Sequence, residues 1–343
     1  MSMNFLHGAD QVPGATFAAN WPENWATGWA VTLSATKLEL GHLVALTEQL
    51  AEIEPALRVV HQRTLVSEAD WQHNDTLTQA EQVSQVTAVQ WIVVGELNQT
   101  ESDFAARVKA ALTAKAPFHI DVTVMPVATL RRAHKLALFD MDSTLIEQEV
   151  IVELAKKAGI GEQVDIITES AMRGEIDFSE SFRRRVALLK GLDSAVLDDI
   201  IANHITFSPG AKRLISTLKQ NGFHVVLVSG GFTYFAQYVQ EQLGIDEIYA
   251  NDLDIIDGKL TGEVTSPIVD GKRKAELLQE IAQRLNIDLS ETVAVGDGAN
   301  DLPMLGLADI GIAYRAKPVV QQQAKYAVNI AGLDGVISVL GLV

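Results

Sequence analysis

The chain has 343 residues, a formal net charge of −17 and no cysteine. Its length allows two ordinary domains or one domain with a large insertion, and its acidity argues against a nucleic-acid groove or an anionic membrane surface as the main partner. Without cysteine there is no disulfide, thiolate metal site or cysteine nucleophile, which fits a reducing cytoplasm. No run approaches the ~18 uncharged apolar residues of a membrane span. The start, MSMNFLHGADQVPGATF, lacks a basic segment followed by an apolar one, so no secretory leader is expected.

Residues 1–24, rich in Gly, Asn and Pro, read as an irregular lead-in. From residue 25 the hydrophobic period alternates between that of a strand and that of a helix. WAVTLSA is a strand, LGHLVALTEQLAEI a helix and ALRVVHQRTLV a strand; after a polar stretch come the strand TAVQWIVVGEL, the helix SDFAARVKAALTAK and the strand FHIDVTVMPV. The order βαββαβ over residues 25–130 is that of an α+β ferredoxin-like unit and resembles the ACT-type small-molecule-sensing domains. Such a unit is either an amino-acid sensor or only a dimerising element, the second giving a homodimer through this domain.

RRAHK, 131–135, is a short basic joint. Beyond it KLALFD, HVVLVS, TVAVGD and IGIAY are short runs, apolar throughout, each ending in a small, polar or acidic residue except the last. Runs without alternation predict parallel strands covered on both faces by helices, hence a doubly wound α/β, Rossmann-like core over 131–343. About 80 residues separate the first two strands, far more than a crossover helix requires. VIVELAKKAG, QVDIITESAMRGE, DFSESFRRRVALLKG and AVLDDIIANH all carry helical spacing, which predicts an inserted helical cap at about 148–208. DLDIIDGKLTGEV has Asp-Gly between alternating runs and predicts a β-hairpin.

Ligands of open α/β sheets bind beyond the carboxyl ends of the strands. Asp140, Ser229 and Asp297 end three of these runs, and Asp142 and Thr144 follow the first while Asn300 and Asp301 follow the third. If the three strands are neighbours, Asp140, Asp142, Asp297 and Asp301 place four carboxylates at one edge, where they repel one another unless protonated or balanced by cations. An all-oxygen set of this kind suits Mg²⁺ and, lacking His and Cys, disfavours zinc. A phosphate oxygen in the shell of such an ion would explain how so acidic an edge accepts an anion. The cationic helper falls in DGKRKAELLQEIA, with Lys272, Arg273 and Lys274 as candidates.

Asp140-Met141-Asp142-Ser143-Thr144, Ser229-Gly230-Gly231, Lys274 and Gly296-Asp297-Gly298-Ala299-Asn300-Asp301 together resemble the four motifs of the haloacid dehalogenase-like (HAD) phosphohydrolases. More narrowly, residues 135–343 resemble the phosphoserine phosphatases, the insertion ITESAMRGEIDFSESFRRRVALL included. The resemblance implies Mg²⁺-dependent hydrolysis of O-phospho-L-serine in the last step of serine biosynthesis. Asp140 would be the nucleophile that forms an aspartyl-phosphate, and Asp142 the proton donor and then acceptor. Asp140, Asp297 and the backbone carbonyl of Asp142 would hold the metal. Ser229, the Gly230 amide at a strand-to-helix turn, and Lys274 would bind phosphate. Asn300 would face the substrate, with Thr144 and Asp301 in support.

Within the cap, the same resemblance assigns the substrate ammonium to Glu149 and its carboxylate to Arg185, with Met172 and Phe178 as an apolar lid. The chemistry is suitable, since a carboxylate pairs with an ammonium and a guanidinium fork with a carboxylate. Two other readings are open. A different small phosphate ester could be the substrate, or the core could be a signalling receiver that keeps phosphate on its aspartate. The inserted cap and an acid–base aspartate two residues after Asp140 argue against the receiver, whose phosphoryl group should be long-lived.

Overall fold

The computed structural model describes residues 22, 25–36, 38–53, 55–66, 87–95, 100–115, 119–173, 175–264 and 267–342. Apart from Pro22, the lead-in 1–24 lies outside them. Among the described residues no helix is long and apolar enough to cross a membrane.

The first part of the chain runs β1 (Trp29–Ala35), α1 (Leu40–Ile53), β2 (Arg58–Val66), β3 (Thr87–Val94), α2 (Glu101–Lys115) and β4 (Ile120–Pro126). Its sheet has the order β2-β3-β1-β4 with every pair antiparallel, the arrangement of a split βαβ unit. Alternation sorts β1 between two faces. Trp29, Val31, Leu33 and Ala35 join Leu46, Leu50, Phe104 and Val108 in one core, so both helices cover one side. The other side carries buried Thr32, Ser34, Gln90 and Thr123. It is tied to the rest of the molecule by polar bonds: Arg63 Nη2 donates to the Gly341 carbonyl at 2.9 Å, and Asp121 accepts from the Asn329 and Ile330 amides at 2.8 and 2.7 Å.

A single turn, α3 (Val127–Leu130), leads to β5 (Leu136–Phe139), the first strand of a six-stranded parallel sheet. Four helices then intervene, α4 (Val150–Ala158), α5 (Gly161–Met172), α6 (Phe178–Ala187) and α7 (Ala195–Asn203). An antiparallel bridge between Ile146 and Phe207 closes this insertion at its base. The chain returns through α8 (Ala211–Gln220), β6 (His224–Phe232), α9 (Thr233–Leu243) and β7 (Glu247–Asn251). After the hairpin β8 (Ile255–Ile256) and β9 (Lys259–Leu260) come α10 (Gly271–Arg284), β10 (Thr292–Gly296), α11 (Leu302–Leu307), β11 (Ile310–Tyr314), α12 (Pro318–Gln323), β12 (Tyr326–Val328) and α13 (Gly335–Val339). Asp257 and Gly258 both have positive φ, 49° and 72°, as the mirror-image turn of a two-residue hairpin demands. The hairpin lies against the cap: the Gly191 amide donates to the Leu260 carbonyl at 2.8 Å, and the Ser194 amide to that of Gly258 at 2.9 Å.

The sheet order is β12-β11-β10-β5-β6-β7. Ala137, Phe139, Val225, Leu227, Val293 and Val295 pack with α8, α9 and α13, while Leu136, Leu138, Val226, Val228 and Ala294 pack with α10 and α11. Both faces of β5, β6 and β10 are therefore buried, which is why these strands read as continuous apolar runs. From β5 the chain winds first toward β7 and later, from β10, toward β12. The order reverses between β5 and β10, and such a switch point opens a crevice beyond the strand ends.

Candidate active site

At the switch point β5 ends in Asp140, whose amide donates to the Val295 carbonyl of β10 at 3.0 Å. Residues Met141–Leu145 form a wide turn in which the Ile146 amide reaches back to the Met141 carbonyl at 3.1 Å. Ser143 sits at φ 55° within it. That left-handed conformation is unfavourable for serine and persists because the surroundings fix it: its amide donates to the Gln148 carbonyl at 3.2 Å and its hydroxyl to Glu149 Oε1 at 2.8 Å. The turn sends the two aspartates to different neighbours. Asp140 Oδ1 is 2.8 Å from Lys274 Nζ, whereas Asp142 Oδ2 lies 2.6 Å from where a Cβ on Gly231 would stand. Asp140 thus faces the β10 side and Asp142 the β6 side of one crevice.

Lys274 decides between the three neighbouring cations. It is fully buried on α10 and bridges Asp140 and Asp301, the latter at 2.7 Å. Lys272 is 84% exposed, and Arg273 pairs with Glu276 and Glu280 on its own helix. Burial alone would pull the Lys274 ammonium toward neutrality, but Asp140 and Asp301 outweigh it and hold its pKa above the ordinary lysine value.

Asp297 follows β10 and accepts from Thr144 Oγ1 at 3.2 Å. Asp301 accepts from the Gly298 amide at 2.9 Å, and a Cβ on Gly296 would fall 2.4 Å from its Cγ. Glycine at 296 is what lets Asp301 fold back under the strand end. Carboxylate oxygens of Asp140, Asp297 and Asp301 lie within 4.8 Å of one another. The Asp142 carboxylate is not one of this group, which leaves its backbone carbonyl as the donor expected of that residue. Asp301, expected only in support, is one of the three.

These carboxylates are not at ease together. Burial, reinforced by Asp301, raises Asp140 well above the ordinary carboxylate range. Burial and then Glu149 do the same for Asp142. Burial, with Asp301 and Glu149 behind it, carries Asp297 to about 7. A hard divalent cation fits this cluster, because every donor is an oxygen and the added positive charge relieves the repulsion that lifts these values.

Ser229 is fully buried, and its hydroxyl accepts from the Gly231 amide at 2.8 Å. The expected strand-to-helix turn here is instead a bulge within β6, which runs to Phe232; its register against β7 shifts between Val228 and Phe232. Gly230 lies under the cap, since a Cβ there would stand 2.9 Å from Phe178 Cζ. Phe178 stacks on Phe182 at 6.2 Å, and Phe182 in turn meets Phe232 at 5.6 Å. Asn300 turns its amide toward the loop glycine, with Oδ1 2.2 Å from a Cβ position on Gly298. On the cap side, Glu149 immediately precedes α4 without capping it. Arg185 is half-buried on α6, where burial lowers its pKa while Glu149 and Asp142 oppose that shift. Arg183 and Arg184 are exposed. The side chain of Met172 lies outside the described residues.

One residue of the site has no motif to announce it. Asn251, fully buried at the end of β7, donates from Nδ2 to the Gly230 and Gly231 carbonyls at 2.9 and 3.3 Å and accepts from the Val269 amide at 2.8 Å. In the sequence it is an ordinary Asn after a strand.

The chain matches the model of the haloacid dehalogenase-like hydrolases over residues 137–306. It is 48% identical over 258 residues to the phosphoserine phosphatase of Streptomyces coelicolor, covering 75% of this chain and 61% of that protein. To the probable phosphoserine phosphatase of Schizosaccharomyces pombe it is 47% identical over 255 residues, 74% of this chain and 85% of that one. The unliganded crystal structure of a probable phosphoserine phosphatase from Vibrio cholerae aligns with TM-score 0.68 at 30% identity, covering 96% of this chain and 94% of that one. The match thus spans less than two thirds of the Streptomyces protein's length and most of the other two.

Proposed function

The chain belongs to the haloacid dehalogenase-like hydrolase family, and from that premise we propose that it hydrolyses O-phospho-L-serine to L-serine and phosphate. The observation that carries the reading is the convergence of Asp140, Lys274 and the Asp297–Asp301 pair at the switch point, with Arg185 of the inserted helices close enough to act on Asp142. The identity to phosphoserine phosphatases supports the choice of ester.

In the first half-reaction Asp140 attacks phosphorus, the ester P–O bond breaks, and the departing serine oxygen takes the proton held by Asp142. Burial favours the protonated form of Asp142, which suits a proton donor. In the second, Asp142 takes a proton from water, whose oxygen attacks the aspartyl-phosphate; phosphate leaves and Asp140 is regenerated. Lys274 holds Asp140 by an ion pair and offsets charge on the transferring group. The Ser229–Gly230 segment donates to phosphate oxygens, and Phe178 covers it from the cap. Glu149 receives the substrate ammonium and Arg185 its carboxylate. Mg²⁺ held by Asp140, Asp297 and the Asp142 carbonyl, with Asp301 beside them, would supply charge neutralisation for the phosphate.

Phosphate release from phosphoserine and from a panel of other phosphate esters, with Mg²⁺ or excess EDTA, tests this. Release that needs Mg²⁺ and favours phosphoserine is expected; equal or better release from an ester without ammonium and carboxylate would overturn the substrate. For residues 25–130 the reading is an ACT-like sensing unit, supported by element order and strand order. Calorimetric titration with L-serine checks it, and absence of binding heat would leave that unit without a sensing role.

A further inference from the structure

We propose that Asn251 is a positioning residue that sets the peptide planes of the phosphate-binding turn, acting as a side-chain substitute for the missing piece of strand. Val228 pairs with Tyr249 and Phe232 with Asn251, so three residues of β6, Ser229 to Gly231, stand against Ala250 alone. A bulge of this kind removes backbone carbonyls from the ladder, and buried carbonyls require donors. The two hydrogens on Asn251 Nδ2 provide them for Gly230 and Gly231, and Oδ1 is occupied by the Val269 amide. The whole amide is used.

The consequence for the site follows from the planarity of the trans peptide, in which C=O and the next N–H point in opposite directions. Drawing the Gly230 carbonyl toward Asn251 turns the Gly231 N–H away from it, toward Ser229 Oγ and the side of the crevice where Asp142 stands. Holding the Gly231 carbonyl turns the Phe232 N–H in the same manner. Glycine has no side chain to resist rotation of these planes, so within the Ser229-Gly230-Gly231 segment only the Ser229 hydroxyl, accepting from the Gly231 amide, opposes it. The bond to Val269 joins the same residue to the segment that enters α10 one residue later at Asp270, whose carboxylate caps the helix bearing Lys274. One amide thereby ties the Gly230–Gly231 and Gly231–Phe232 peptides, which directly follow the Gly230 donor, to the helix that carries Lys274.

The inference rests on the reading that this turn receives phosphate. Its test is calorimetric binding of inorganic phosphate, in the presence of Mg²⁺, to wild type, Asn251→Asp and Asn251→Ser, with Mg²⁺ affinity titrated separately. Asn251→Asp keeps the acceptor for Val269 but loses both donors and faces two carbonyls with a charge; Asn251→Ser keeps one short donor. The expected result is a loss of phosphate affinity of at least about tenfold for Asn251→Asp and a smaller loss for Asn251→Ser, with Mg²⁺ affinity within about twofold of wild type, because the metal-facing acids stand on β5 and β10. Should Asn251→Asp fail to fold, Asn251→Ser carries the test on its own. Phosphate binding unchanged in a folded variant, or Mg²⁺ and phosphate affinity falling together, would overturn the role. A wild type that binds phosphate but hydrolyses no phosphoserine would instead overturn the substrate reading and leave this one standing. Wild type that takes up no phosphate would overturn both.

Discussion

The sharpest feature at the scale of single residues is that Asp140 and Asp142, separated by one residue, stand in different electrostatic surroundings. Burial raises both carboxyls, but Asp140 is ion-paired with a fully buried lysine that opposes the rise, while Asp142 is pushed up by Glu149 in addition. That split is what a nucleophile and a proton donor require of two like groups. Asp140→Asn is expected to lower turnover by more than about a thousandfold with an unchanged circular dichroism spectrum; near wild-type release of phosphate would contradict the nucleophile. Asp297 makes a second prediction. Its carboxyl is raised from 3.8 to about 7 in the metal-free protein, so its protonated form stabilises the fold at acid pH. That contribution is lost as pH rises from 3.8 through about 7. Cation and proton compete for it. Mg²⁺ affinity should therefore fall by up to about tenfold per unit as pH drops below about 7, and level off above it. Titration of Mg²⁺ by calorimetry between pH 5.5 and 8.5 checks this, and a flat profile would mean that Asp297 does not ligate.

Elements matter here chiefly through where they stop. β5 and β10 end side by side because the sheet order reverses between them, and α10 starts where Lys274 can turn in under both. The cap helices bring a separate set of charges. Of three consecutive arginines on α6 only Arg185 points inward, because residues three and four apart share a helix face and Ser181, Phe182 and Val186 define the buried one. Arg185→Ala is expected to raise KM for phosphoserine by about 10- to 100-fold, the range of a charge-assisted hydrogen-bond pair. An ester lacking the carboxylate should be far less affected, and equal losses on both would remove Arg185 from substrate recognition. The hairpin β8–β9 adds a further connection between cap and core beside the two chain crossings, through the Gly191 and Ser194 amides.

For the molecule as a whole, the N-terminal sheet is not a separate bead. Its polar face meets the end of the chain, and Asp121 alone accepts the Asn329 and Ile330 amides and the Asn329 side chain. Asp121→Ala leaves two backbone donors without their acceptor at that junction. A stability loss of about 2–5 kcal/mol is expected from the desolvation cost of such groups, read as a lower urea midpoint at constant slope. The kcat should stay unchanged, since no residue of the junction touches the crevice; a kcat that falls with the midpoint unmoved would show coupling between the two parts instead.

Much of this was legible in the chain. Strands β1 to β6, the four cap helices and the Asp257-Gly258 hairpin follow from local period and turn chemistry, because each buries a pattern that no other conformation would bury. Strands β7 and β12 left no such trace: EIYAN is only half-buried until its last residue, and YAV is three residues long. Asp140, Ser229 and Asp297 were readable because they end apolar runs. The nearness of Asp301 to Asp140 and Asp297 and the bonding of Asn251 were not, and Lys274 was singled out from Lys272 and Arg273 only by the family motif. Each of these depends on which side chain faces the interior across elements far apart in the chain, and period alone cannot supply that direction. The sequence by itself determined which chemical groups are present and that they stand at strand ends. Tertiary structure decided which of them meet, because only the packed sheet and its bulge fix distances of 3 Å between residues separated by 20 to 150 positions.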